Sequence, residues 1–294
     1  MARTGKVTII VFVISIFLFA GHLLAQTTDM LESIGDSVEI TEYVSNAFKS
    51  TRIIDGQSIE MLGAGSLDFR ILHRFGLITE GIDQLYGLDQ SSIRLSFDYA
   101  PTNDLLVGFG RSSAKKELDA SVKYRLFHQS RGATEMPVSI VLAAGMFCQT
   151  LPWGDDTRPN YFSSRLAYFQ QILVGSKISN SFSLQLAPTL IHRNLVATTS
   201  DPNDIFALGV GARLKLTNRI AFMVEYYHAF NGMSSQNYDP LSIGFDIETG
   251  GHVFQVHVTN AVGMNERSFI TETINNWAKK QVQFGFNISR VFQL

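Results

Sequence analysis

Cysteine is almost missing from this chain: Cys148 is the only one in 294 residues. A lone thiol makes neither an internal disulfide nor a Cys-rich metal site, and just past a strand Cys148 reads as a small apolar residue. An excess of positive charge is also missing. The net charge of −2 excludes a strongly basic nucleic-acid binder. Charge of either sign is scarce, at 17% against roughly 25% in soluble domains. Beyond Ala25 no apolar run is long enough for a membrane helix. There is no low-complexity tract and no repeat beyond a strand–turn rhythm. No motif calls for a cofactor or a metal.

What is present begins with a leader. Arg3 and Lys6 precede VTIIVFVISIFLFA (Val7 to Ala20), and Leu23-Leu24-Ala25-Gln26 follows. This order is the n-region, h-region and small-residue site of a secretory signal, so residues 1–25 are expected to be removed after Ala25. An uncleaved anchor is the alternative, because the run is near the lower limit for a span. No cysteine follows it, which excludes a lipoprotein signal.

The rest of the chain alternates. In LSIGFDIETGGHVFQVHVTN, Leu241, Ile243, Phe245 and Ile247 share one parity with Ser242, Gly244, Asp246 and Glu248 between them. Phe254, Val256 and Val258 repeat the pattern beyond Gly250-Gly251. Period two puts apolar and polar residues on opposite faces of a strand, and the glycine pair supplies a tight hairpin turn. Twelve such segments can be placed, at about 66–75, 91–99, 105–111, 119–129, 137–147, 162–177, 182–195, 205–216, 220–230, 241–249, 252–260 and 281–292. The weakest is 105–111, short and Gly-rich. Long polar links (76–90, 148–161, 261–280) fall on one side, and short ones such as 179–181, 217–219 and Gly250-Gly251 on the side of both chain ends.

Three features favour lipid, not a second protein layer, against the apolar face. The segments have about the ten residues of a tilted transmembrane strand, where soluble strands average about five or six. The strand glycines Gly108, Gly110, Gly145, Gly175, Gly209, Gly211, Gly244 and Gly285 all lie on the polar face, where a closed barrel needs room for long side chains. The chain also ends in QFGFNISRVFQL, with Phe284, Phe286, Ile288, Phe292 and Leu294 on one parity. That end resembles the strand that barrel-assembly machinery recognises, although Arg290 and the final Leu294 depart from the usual form. The expected fold is an all-β, antiparallel transmembrane barrel of about twelve strands over residues 66–294, with short periplasmic turns and longer extracellular loops. Pro188, mid-segment in FSLQLAPTLIHR, predicts a bulge or a place at the membrane rim. Residues 26–65 are expected to plug the lumen, lie on the periplasmic mouth, add a hairpin turning at Asp55-Gly56, or form a flexible leader.

The stretches EYVSNAFKSTRIIDGQS, LDFRILHRFG, LYGLDQSSIRLSFDY, NYFSSRLAY, SIGFDIETGGHVFQ and FGFNISRVF resemble the membrane-bound β-barrel family of unknown function from Gram-negative outer membranes. The similarity runs from about residue 40 to the end. It implies a membrane barrel in the bacterial outer membrane, and carries no activity, substrate or catalytic residue.

The polar face holds the candidate lumen-lining residues: Arg70, Arg74, Arg94, Asp98, Lys123, Arg125, Arg165, Arg193, Arg213, Glu225, Asp246 and Glu248, with Asp68 and Lys215. A cation facing lipid at the midplane costs about 2–4 kcal/mol, which argues for the inside. There the charges either line a water-filled, anion-favouring pore or pair to lock the interior shut. Twelve strands stand between the roughly eight that side chains fill and the roughly sixteen of open porins, so a narrow or closed lumen is favoured. His128, His192 and His228 take outward parity, and no hairpin forces a serine beside them, so no Ser–His–acid centre is expected. His252 and His257 sit on opposite faces and share no metal. Trp153, Asp155, Asp156 and Trp277 read as loop and interfacial anchors. The expected function is a narrow passive channel or binder for a small polar, anionic solute. The alternative is a structural or docking barrel for an envelope or secretion partner.

Overall fold

The computed structural model describes residues 40–154, 157, 159–196, 198–231 and 237–294. The expected leader at 1–25, the first part of 26–65, and Asp155 and Asp156 lie outside the described residues.

Twelve strands close into one antiparallel barrel. They are β1 (Ser66–Leu77), β2 (Ser91–Thr102), β3 (Leu105–Ser112), β4 (Glu117–Phe127), β5 (Ser139–Gln149), β6 (Leu166–Lys177), β7 (Phe182–Arg193), β8 (Asp204–Lys215), β9 (Ile220–Ala229), β10 (Leu241–Thr249), β11 (His252–Thr259) and β12 (Gln283–Gln293). Each pairs with the next, and β12 pairs with β1 from Gln293↔Ser66 to Gln283↔Leu77, leaving no free edge. All twelve expected segments are strands, including the short third one. The connection at Gly250-Gly251 turns on two positive φ values, 44° and 117°, a conformation that favours glycine.

The wall is inverted relative to a soluble protein. On β2, Leu95 and Phe97 are exposed, at 42% and 47%, while Arg94, Ser96 and Asp98 between them are buried. Arg70, Arg74 and Lys123 are 1%, 0% and 0% exposed. Water would penalise both choices: an apolar belt this continuous exceeds what soluble monomers carry, and charged residues are almost never fully buried unless paired. Hydrocarbon outside, with the arginines paired to carboxylates and Lys123 bonded to three backbone carbonyls inside, satisfies both. Among the described residues no helix is long and apolar enough to cross a membrane.

Two segments fill the interior. From the side of the short turns, residues 47–59 enter, and all but Lys49 are buried. They fold back at Asp55-Gly56, where Ile53 N–H donates to Gly56 C=O at 2.9 Å and Ser58 N–H to Thr51 C=O at 3.0 Å. From the opposite mouth, the connection after β11 descends and forms helix α1 (Glu266–Thr271), capped by Asn265 Oδ1 on Ser268 N–H at 2.9 Å. Phe48, Ile53, Ile54 and Ile59 of the first segment share one apolar cluster with Phe269 and Ile270 of the second. That cluster takes its wall residues from one side of the barrel, among them Val141, Phe147, Phe169, Leu173, Ala187 and Tyr227. The apolar wall residues of that cluster lie on β5–β9, which also carry Glu225, Arg213 and Gln185, while most of the buried wall charges lie on the other strands. Gly175 and Gly211 make this fit possible, since a Cβ at either would collide with Ile59 or Ile53.

Two expectations need correction. Pro188 makes no bulge and lies mid-strand, away from the rim. Its pairing with β8 runs through Leu208 without a shift. Pairing with β6 stops at Gln171↔Thr189 and resumes in the same register at Val174↔Leu186. The ring, which lacks an N–H, is accommodated by missing rungs, without an inserted residue. Arg165 does not sit on an inward strand position, because residues 162–165 form a 3-10 turn before β6.

Candidate functional site

The hairpin at residues 51–58 is held by its backbone. Glu225 of β9 accepts three consecutive amides, from Ile54 at 3.1 Å, Asp55 at 2.6 Å and Gly56 at 2.9 Å. Gln185 of β7 accepts Ile59 N–H at 2.7 Å and donates to Gln57 C=O at 2.8 Å, imitating a strand partner. Gln255 of β11 and Asn287 of β12 donate to the carbonyls of Ile53 and Ile54 at 2.5 and 2.9 Å. Lys123 Nζ of β4 donates to those of Thr51, Ser58 and Glu60 at 3.2, 2.8 and 3.0 Å. Hydrogen bonds to charged groups contribute about 1.5–3 kcal/mol each, and Glu225 and Lys123 make six of them.

Side chains add ion pairs. Arg74 of β1 pairs with Asp55 at the hairpin turn, whose other oxygen accepts from Ser242 Oγ at 2.7 Å. Arg70 donates to Asp68 at 2.7 Å and to Thr51 Oγ1 at 2.9 Å, and Thr51 donates on to Asp98. Arg94 grips Asp119 with two bonds, at 3.0 and 2.5 Å, the planar fork geometry of the strongest pairs. The two inserted segments meet where Arg52 and Gln57 donate to Glu266 of α1, at 2.9 and 3.2 Å. Above that, Arg267 takes both oxygens of Glu117 at 2.8 Å and reaches Glu272 at 2.5 Å, and Lys115 pairs with Glu272 at 2.7 Å. Burial raises the Glu272 carboxyl, but the charges of Arg267 and Lys115 outweigh it and leave the group below its usual value.

The other candidate residues divide by depth. Arg213 and Asp246 are buried; Arg213 Nε has no partner, and Asp246 accepts from Gln255 at 2.8 Å. Glu248 pairs with Lys49 at 2.9 Å in a half-exposed position near the chain ends, and Lys215 is also half-exposed. Arg125 is half-buried, donating to Asn103 C=O at 3.0 Å and lying 2.7 Å from His128 Nδ1. At the opposite mouth, Arg165 donates to the carbonyls of Gln149 and Leu151 and lies 4.0 Å above the Trp153 ring. Arg193 donates to Pro202 C=O at 3.0 Å. Sequence reasoning missed Glu117, Asp119, Glu266, Arg267, Gln185, Gln255 and Asn287. Asp119 carried the same inward parity as Lys123, but the uncharged amides gave no signal of their own.

His192 and His228 each contact a carboxylate at 2.7 Å, Asp204 and Asp239 respectively. Among the described residues no serine hydroxyl bonds to either imidazole. Trp277 Nε1 donates to Leu241 C=O at 2.9 Å, tying the inserted loop to the start of β10.

A closed twelve-stranded antiparallel barrel, apolar outside and charged within, is an outer-membrane β-barrel protein. Residues 48–292 match the family described as Membrane bound beta barrel domain (DUF5777), and the chain belongs to that family. Its place is the bacterial outer membrane, in contact with the lipid there. Among solved structures it is similar to the NanC porin, at 10% identity and a TM-score of 0.50, covering 78% of this chain and 100% of that one. It is also similar to the Acinetobacter baumannii outer membrane protein Omp33, at 8% identity and a TM-score of 0.42, covering 77% and 98%. LpxR from Salmonella typhimurium matches at 12% identity and a TM-score of 0.36, covering 78% and 100%. A search of curated proteins finds no match. At these identities the likeness concerns the fold alone.

Proposed function

We propose that this protein is a closed, non-catalytic barrel that binds a small polar, anionic solute at its mouth, and that it is not a standing pore. One observation carries the reading: wall residues from β4, β7, β9, β11 and β12 hold the backbone of the hairpin inside the lumen. A segment satisfied at this many groups leaves the passage filled, and its release is a separate, costly event. The lining residues then act as a lock, with Arg70, Arg74 and Arg94 committed to carboxylates. Assembly is assigned to recognition of β12, the C-terminal strand, by the barrel-assembly machinery.

A docking role is the second reading. It is favoured by a groove of about 980 Å³ near the chain ends, lined by Tyr43, Glu60, Asp104, Arg125, His128 and Glu135. Beside it Glu42–Tyr43 pairs with Ser130–Arg131 outside the barrel wall.

Planar-bilayer recording tests the closed state. The purified protein is expected to be silent across the voltage range, and the protein lacking residues 47–60 to show steps of current. Steady conductance from the intact protein, equal to that of the deletion, contradicts the reading.

A further inference from the structure

The outer mouth holds a cavity that the hairpin lock does not use. It has a volume of about 150 Å³ and is lined by Ser164, Arg165, Arg193, Leu195, Arg267 and Glu272, among others. Three connections build it: the turn before β6, the end of β7, and the loop carrying α1. This convergence is not a consequence of strand pairing, because the inserted loop brings Arg267 from the other side of the barrel.

The charges there are unequal in their commitments. Arg267 is fully occupied by Glu117 and Glu272, and Lys115 takes the other oxygen of Glu272. Among the described residues Arg193 and Arg165 donate only to neutral carbonyls, Pro202 for the first and Gln149 and Leu151 for the second, and Arg165 also lies over the Trp153 ring. Among the described residues no ion pair joins either of them to a carboxylate. Arg193 Nε is buried and has no partner. A buried guanidinium N–H without an acceptor costs free energy that an incoming acceptor recovers, and the planar fork matches a carboxylate or phosphate. Ser164 supplies a hydroxyl on the same cavity wall, and Leu195 an apolar side for the body of a ligand.

We propose that this cavity is an oxyanion site, taking the phosphate or carboxylate head of a small solute or of an outer-leaflet lipid between Arg193, Arg165 and Ser164. Among the described residues, Arg165 and Arg193 leave a net positive charge after the Glu117–Arg267–Glu272–Lys115 chain is neutralised, even with Asp201, whose charge also acts on Arg193, counted, and this sets the sign of the ligand. The volume fits a head of a few heavy atoms, not a whole sugar chain. The proposal deepens the reading of a barrel that binds at its mouth but does not require the lumen to be closed. Conductance decides that point, and binding decides this one.

The test uses the full-length mature chain in nanodiscs, with inorganic phosphate and acetate titrated calorimetrically. A second readout is Trp153 fluorescence in a Trp277→Phe background, since Arg165 lies over that ring. Saturable binding is expected, with Arg193→Gln weakening it about ten-fold or more and Ser164→Ala weakening it less. Arg193→Lys should fall between, keeping the charge and losing the fork. Arg290→Gln, at the opposite end of the barrel, should bind as the parent does. Nanodiscs with lipopolysaccharide separate the two sources: prior saturation of the site identifies a lipid head, and an unchanged titration identifies a free solute. The absence of saturable binding in both kinds of disc overturns the proposal, as does equal binding by the parent, Arg193→Gln and Ser164→Ala.

Discussion

Glu225→Ala releases the hairpin from the lumen while the barrel stays assembled. Three adjacent amides, those of Ile54, Asp55 and Gly56, lose their only carboxylate acceptor. Each buried N–H left without a partner costs about 1–3 kcal/mol, so the loss for the three is about 3 kcal/mol or more before any offset. Removing the buried Glu225 charge beside Asp55 offsets part of this. Amide exchange at those three residues should accelerate by about a hundred-fold, with protection on β1–β4 unchanged. Glu225→Gln keeps one acceptor oxygen and should fall well short of that. Parent-like protection in Glu225→Ala would mean that the cradle contributes nothing to closure.

The second large effect is expected at Arg94. Arg94→Met leaves Asp119 buried with its partner gone, and breaking a buried ion pair from one side costs about 3–5 kcal/mol. The same principle predicts the rescue: Arg94→Met with Asp119→Leu removes both charges, and most of the loss should be recovered. Thermal unfolding in detergent of the parent, both single variants and the double variant gives the coupling energy directly. A double variant no more stable than Arg94→Met alone would show that the pair is not acting as a unit. The contrast with the outer mouth is informative, because Arg193 has no such partner among the described residues.

The strands were legible because lipid and a charged interior impose opposite demands on successive residues. Ile93, Leu95, Phe97 and Tyr99 against Arg94, Ser96 and Asp98 carry that demand openly. On β5 the signal is weaker, because Val141, Ala143 and Phe147 face inward and are apolar too. They are apolar because Phe48, Ile53 and Ile59 lie against that side, a fact that no local pattern contains. The filling itself was hidden for a similar reason. Residues 261–280 read as a polar loop, since Glu266, Arg267 and Asn265 look like solvated side chains until Glu117 and Arg52 are placed opposite them. The Asp55-Gly56 turn was visible in the sequence, but its carboxylate partner Glu225 lies 170 residues away from Asp55. Pro188 misled because a rule about edges assumes that every rung must be made.

Closure of the lumen by the N-terminal hairpin is the claim on which the rest stands. Thiol labelling tests it most directly, in a Cys148→Ser background with a single cysteine at Ile54, a side chain 1% exposed. In nanodiscs a water-soluble maleimide should leave Ile54→Cys unmodified while labelling Thr249→Cys, an exposed position at the short-turn end of β10. Labelling of Ile54→Cys as fast as Thr249→Cys in the intact barrel would place the hairpin outside the lumen and contradict the account.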